Sequence, residues 1–349
     1  MVPKKIVSCL SVIVICSIIM TGCGRMESPK PKIVVEEEKP TVVVEEEKPA
    51  VKLVLKFTPQ DSTTYKYTKE AVRGIKWEGS MSEDTAFRGG QTSSRNELIF
   101  TQQIQSTDDN GNAVAKITIK SLKHLSIIRD NPVIDFDNSR QKDQNNPLAT
   151  LIGQSYTIEV TPAGRVSKII DANQARAAVK GDTATHKTAL AMLSDDVIRE
   201  RHTIPAMPAA EKNQLRTGEN WNSIKTFSFG LMGSRSYERI YTLKEVTNSD
   251  NHRFAIVGMA ANLTTEKAEE LHKEKAIGDF SKMFDNTETY TGRLELDLTT
   301  GKVEKCTEQL QSEWIAVEPM VGEKGENEEK EPAVLTMTAT RLYSLEKID

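Results

Sequence analysis

Side chains able to carry chemistry are few in this sequence, and their spacing fits no catalytic or metal-binding pattern. His124, His186, His202, His252 and His272 stand far apart. None has the H-x-x-x-H or H-E-x-x-H spacing that sets two imidazoles on one helical face. The run from Ser106 to Asn112 is rich in oxygen donors, with Asp108, Asp109 and Asn110 in succession. Counted from Ser106, the twelfth position of a calcium loop should hold a bidentate glutamate, and Ile117 stands there, so the run reads as a turn. Ser234 lacks the G-x-S-x-G elbow, because Gly230 and Arg235 are misplaced for it. Cys306 falls on a strand-like run and reads as a buried structural thiol. With no acid, base, nucleophile or metal cluster, the chain is read as non-enzymatic and without a cofactor. No catalytic, metal-binding or ligand-binding residue is named at this level.

One further cysteine sits in a context that implies modification. Lys4 and Lys5 precede the apolar run Ile6 to Met20, which is followed by Met20-Thr21-Gly22-Cys23. The run is shorter than the ~20 residues a helix needs to cross a bilayer, so residues 1–22 read as a signal peptide. Met20 to Cys23 resembles a bacterial lipobox. That resemblance implies that Cys23 receives diacylglycerol on its sulfur, with acyl chains such as palmitate, and becomes the new N-terminus. Two or three chains at ~0.8 kcal/mol per buried CH₂ hold a protein firmly to a membrane. The expected address is therefore the extracytoplasmic side of the cell membrane. Gly24, where inner-membrane retention calls for aspartate, directs it to the outer membrane if the cell has one.

Cys9 and Cys16 leave with the signal peptide and Cys23 is acylated, so Cys306 has no partner for an intramolecular disulfide. The whole chain has 46 basic and 50 acidic residues, a net charge of −4; losing Lys4 and Lys5 leaves 44 against 50, or −6. An exported acidic chain has no electrostatic reason to bind nucleic acid.

The elements that would position any site begin after a tether. Residues 23–50 contain "KIVVEEEKPTVVVEEEKP", Lys32 to Pro49, a nine-residue period of Val, Glu, Lys and Pro. Such a composition reads as a solvated stalk, reaching roughly 30 Å as a coil or about 80 Å if polyproline-like. Residues 51–349 then carry short runs of Val, Ile, Thr, Tyr and Phe separated by turn residues. In "AKITIKSL", Ala115, Ile117 and Ile119 alternate with Lys116, Thr118 and Lys120; in "GRLELDL", Leu294, Leu296 and Leu298 alternate with Glu295 and Asp297. One wet and one buried face predicts antiparallel sheet.

Helical spacing appears around Leu190, Leu193 and Val197, with Ser194 or the acidic pair after it as a break, and again after Thr264 or Thr265. Trp77 and Trp221 are expected at strand starts and Trp314 in a later strand. The acidic run Gly322 to Pro332 reads as a loop.

Three pairs of segments recur in order at a nearly constant offset. "ELIFT" (Glu97 to Thr101) matches "ERIYT" (Glu238 to Thr242), the turn after Asp108 matches that after Asn248, and "VTPAGRV" (Val160 to Val166) matches "LTTGKV" (Leu298 to Val303). The reading is a duplicated β-rich unit, about 52–172 and 213–348, joined by a helical segment at about 173–212. Gly164 and Gly301 are expected to supply positive φ, and Asn110-Gly111 is a stronger hairpin signal than Asp250-Asn251.

These pieces, with the G-Q-S-Y start at Gly153 and Gly218-Glu219-Asn220-Trp221, resemble an uncharacterised family of bacterial lipoproteins over about Val51 to Ile348. The resemblance implies a fold type and an address but no catalytic residue. The fold class expected is α+β, mainly antiparallel β, with curved sheets and a few covering helices, comparable in architecture to half-open lipid carriers. Two functions fit. One is a binding module for an apolar ligand or an envelope component; the other is a structural or assembly lipoprotein touching peptidoglycan or a protein complex. A cavity above ~300 Å³ under the helices would favour the carrier.

Overall fold

Alternation of apolar and polar residues dominates the chain after Val51, and the computed structural model folds nearly every such run into antiparallel strand. It describes residues 49–78, 89–181, 183–266, 284–317 and 334–348. The signal peptide, Cys23, almost all of the stalk, the body of the helix expected after Thr264, His272 and the acidic run 322–332 lie outside those residues.

The first half supplies β1 (Val51–Lys52), β2 (Ser62–Glu78), β3 (Gly90–Thr107), β4 (Ala113–Ile128), β5 (Asn131–Asp137), β6 (Ser155–Val160) and β7 (Val166–Asp171). Helices α1 (Asn173–Ala178), α2 (Ala184–Met192) and α3 (Asp195–His202) follow. The second half supplies β8 (Gln214–Leu215), β9 (Asn220–Ser228), β10 (Ser234–Ser249), β11 (His252–Thr264), β12 (Asp285–Asp297), β13 (Lys302–Val317) and β14 (Val334–Lys347). A 12-stranded sheet runs β7-β6-β4-β3-β2-β14-β13-β12-β11-β10-β9, with β5 pairing a separate stretch of β4; β1 and β8 form a two-stranded pair. The last strand thus lies between β2 and β13 and joins the two halves.

Local chemistry explains most boundaries. In β4, Ala115, Ile117 and Ile119 are buried while Lys116 and Lys120 are exposed, as alternation requires. The expected wet face of β12 fails at Asp297, which is 1% exposed. A bulge between Glu295 and Leu296 shifts the register, and the Asp297 carboxylate turns in to accept from Thr299 N (2.8 Å), Thr300 Oγ1 (2.7 Å) and a ring nitrogen of His252 (2.7 Å). Asp250 and Asn251, the weaker hairpin signal, have φ of 49° and 65° and form a two-residue turn of the I′ kind. At Asn110-Gly111 only Gly111 has positive φ, 78°, within a longer turn closed by Gly111 N to Asp108 O at 3.0 Å. Gly164 and Gly301 have φ of 68° and 73°, as expected of the turns they close. Trp221 begins β9 as expected, but Trp77 lies at the end of β2, because that strand starts fifteen residues earlier at Ser62.

Between the halves, the helical segment covers the sheet. Ser194 caps α3 by accepting from Val197 N, Asp195 and Asp196 occupy its first turn, and Arg199 and Arg201 its last, which suits the helix dipole. Leu148, Ala175, Ala189, Leu193, Ile198 and Ile204 from this side join Phe100, Ile117 and Ile158 of the sheet in the core.

Candidate functional site

Register alone decides which side chains share the inner face of the arc from β9 to β2. One row across it reads Trp221, Tyr241, Met259, Gly292, Glu308, Tyr343 and Lys69. The next rows bring Ser223 beside Arg239 and Lys225 beside Tyr237 on β9 and β10, and Tyr290 beside Leu310 and Arg341 on β12 to β14. Pairing of β11 with β12 ends at Ala260 and Thr291, short of the outer ends of both strands.

At the centre lies a buried ion pair. Arg239 Nη1 donates to both Glu308 oxygens, at 3.2 and 3.1 Å, while the hydroxyls of Tyr241 and Tyr290 donate to one oxygen each, at 2.8 and 2.6 Å. All four residues are less than 10% exposed. Burial opposes the charge of Arg239, but the charge and hydrogen bond of Glu308 together with Tyr241 and Tyr290 outweigh it and hold the guanidinium above its ordinary pKa. Burial, then the same carboxylate, raises both tyrosines, so they stay protonated donors. Gly292 makes the meeting feasible: a Cβ there would lie 2.8 Å from Thr307 O, 3.0 Å from Met259 Cε and 3.1 Å from Glu308 Cγ.

Toward the open end, Arg235 Nη1 donates to Glu288 at 2.9 Å and its guanidinium lies over Trp314, 5.6 Å from the ring centroid. Tyr237 packs edge-on against Tyr290. Several donors on this face find no acceptor among the described residues: Trp221 Nε1, Arg235 Nε, Arg239 Nε, Trp314 Nε1 and Arg341 Nε are buried without a hydrogen-bond partner there.

The loop from β9 to β10 folds back over the arc. Phe229 N donates to Gly233 O at 2.8 Å and Gly233 N to Gly230 O at 2.9 Å, with positive φ at both glycines. Phe229 meets the Trp314 ring edge to face at 5.1 Å. Arg341 Nη2 of β14 donates to Ser228 O at 3.0 Å, and a Cβ on Gly230 would lie 2.7 Å from Arg73 Nη1 of β2. Glu200 of α3 pairs with Lys69 and, at 3.9 Å, with Lys225. Each carboxylate facing the arc is thus matched to a cation, whereas Arg73 and Arg341 have no carboxylate partner among the described residues.

The residues singled out by type are not brought together. His124 bonds Asn96 at 2.6 Å, His252 bonds Asp297, and His186 is half-buried on α2. His202 lies in the core, T-shaped on Phe100, with Nε2 2.7 Å from Tyr156 OH. That hydroxyl accepts from Arg201 Nη1 at 2.9 Å, which leaves its own proton for a neutral His202. Burial and then Arg201 push His202 well below its ordinary pKa. Asp108 organises its turn, Ser234 opens β10, and Cys306 is fully buried with its thiol pushed up by burial. The sequence reading passed over Arg235, Arg239 and Glu308. Their signal was parity: arginines at the same strand phase as Tyr237 and Tyr241, and a glutamate in phase with Cys306 and Leu310.

Among the described residues, no helix is long and apolar enough to cross a membrane. Comparison with the curated proteins finds no match. Among solved structures, one similar chain comes from lipid–protein interactions in lipovitellin, at 13% identity and TM-score 0.40, covering 84% of this chain. The matched region is 26% of that chain's length. Another is OpdQ of Pseudomonas aeruginosa, at 8% identity and TM-score 0.18, covering 83% of this chain and 98% of that one. Family of unknown function (DUF6263) matches residues 110–303, from the β3–β4 turn through β12 to the start of β13. That stretch is 194 of 349 residues and takes in the helical segment and most of the inner-face strands, so the chain belongs to this family.

Proposed function

We propose that the chain is a membrane-anchored lipoprotein of the bacterial envelope, exported by residues 1–22 and held through acylated Cys23 on the extracytoplasmic side. Its β-domain is a non-enzymatic binding module for an envelope component, presented at the end of the acidic stalk. The observation that supports binding is the set of buried N–H donors on the inner face, from Trp221 to Arg341, that have no acceptor among the described residues. Each unmet donor costs about 1–3 kcal/mol, a cost that a ligand rich in oxygen acceptors removes. An apolar ligand under the helices is less well served. The cavity beside His202 and Ile204 measures about 40 Å³, far below the ~300 Å³ of ordinary ligand pockets.

The alternative is a structural or assembly lipoprotein that contacts peptidoglycan or a protein complex. It draws support from β9, an edge strand flanked by a cleft of about 460 Å³ that Trp221, Ser223 and Met207 line. We also propose that the sheet descends from two copies of one unit. "ELIFT" lies on β3 and "ERIYT" on β10, and the turns at Gly164 and Gly301 join β6 to β7 and β12 to β13.

The test is native mass spectrometry of the full chain purified from envelopes, with organic extraction and crosslinking. A co-purifying small molecule supports the module; its absence together with recovered protein partners supports assembly. Cys23→Ala should move the protein to soluble fractions, and continued membrane attachment would end the lipoprotein reading.

A further inference from the structure

We infer that Arg73 and Arg341 form an oxyanion subsite on the inner face, taking a phosphate or carboxylate group of the bound component beneath the β9–β10 turn. This rests on the binding-module reading and names the chemistry of its ligand.

Charge matching isolates the two residues. Among the described residues, Glu308 is taken by Arg239, Glu288 by Arg235, and Glu200 by Lys69 and Lys225, which leaves the guanidiniums of Arg73 and Arg341 without a carboxylate. The surplus is not a by-product of composition, since the chain as a whole is acidic at −4. The two guanidiniums converge on one short turn: Arg341 Nη2 donates to Ser228 O at 3.0 Å and Arg73 Nη1 approaches Gly230. Arg341 is depressed from its ordinary pKa by burial and then by the charge of Arg73, which Glu200 only partly offsets, so the two guanidiniums repel as they stand. An anion between like charges relieves that repulsion, and the planar fork of arginine suits the paired oxygens of phosphate or carboxylate. Arg341 Nε, buried and unpartnered, is a further donor for the same oxygens. Glycine at 230 leaves the approach to Arg73 unobstructed, because a Cβ there would occupy it.

The test titrates the full chain with sodium phosphate, sodium citrate and dihexanoylphosphatidylglycerol at constant ionic strength, following the melting temperature. Bound anion raises it, since a ligand selective for the folded state stabilises that state. Wild type should respond to at least one probe, and Arg341→Gln and Arg73→Gln should each need at least about tenfold more of it. A stronger response to the lipid than to phosphate assigns a lipid headgroup; a response to citrate alone assigns a carboxylate. Arg95→Gln, at the opposite strand phase on β3, should behave as wild type. If Arg341→Gln fails to fold, the exposed Arg73 carries the test. No response to any probe, or equal responses in wild type and Arg73→Gln, overturns the subsite. Should native mass spectrometry still recover a neutral ligand that survives Arg73→Gln, the module stands without the anion site; no ligand and no response removes both.

Discussion

Arg239 on β10 reaches Glu308 on β13 across two intervening strands, with one guanidinium nitrogen shared between both carboxylate oxygens at 3.2 and 3.1 Å. Three strand spacings of ~4.8 Å would put about 14 Å between these backbones on a flat sheet. The contact therefore reports curvature, with Gly292 and Ala261 in the rows between leaving room for both side chains to lean inward.

Removing one member of this pair leaves a buried charge uncompensated. Glu308→Gln should destabilise by about 3–5 kcal/mol in urea unfolding, because Arg239 loses its counter-charge. Arg239→Met combined with Glu308→Leu should cost less than either single change. Additive losses would show that the two residues act independently.

Gly292→Ala tests the curvature from the backbone side. The methyl would press on Thr307 O and Glu308 Cγ, so a loss of about 1–3 kcal/mol is expected. Gly258→Ala, which meets only the flexible Lys244 side chain, should cost less. Equal losses would remove the special role of position 292.

Acid sensitivity should begin above the carboxylate range. His202 and His124 are both lowered, each chiefly by burial, so near pH 6.5 and below the unfolded chain takes protons that the folded chain refuses. Stability is then complete above about pH 6.5 and falls as pH drops toward 5. His202→Asn should flatten that limb while leaving the later loss below about pH 4, where the unfolded chain protonates carboxylates that the fold, as at Asp297, holds ionised. An unchanged slope between pH 5 and 6.5 in His202→Asn would refute this assignment.

Strand content and turn glycines were legible because their causes are local. Alternation in "AKITIKSL" needs only its own eight residues, and positive φ at Gly164 and Gly301 follows from a turn of four. Asp297 escaped because a single bulge inverts the faces predicted by strict alternation, and bulges have no periodic signature. The inner-face network escaped for a different reason. Arg239 and Glu308 lie 69 residues apart, and nothing in either neighbourhood says which strands will intervene. What the local pattern does hold is phase: a charged residue in step with tyrosines on a strand is a buried charge awaiting a distant partner.

β14 pairs with β2 along fourteen residues on one side and with β13 on the other. In a chain synthesised from its N-terminus, the element that welds the two halves therefore arrives after every other described strand. Until it does, β2 and β13 are both open edges inviting foreign strands. Maturation of the inner face, and with it Arg341, waits on that final strand. Loss of residues 334–348 would remove the weld and the anion-facing arginine together.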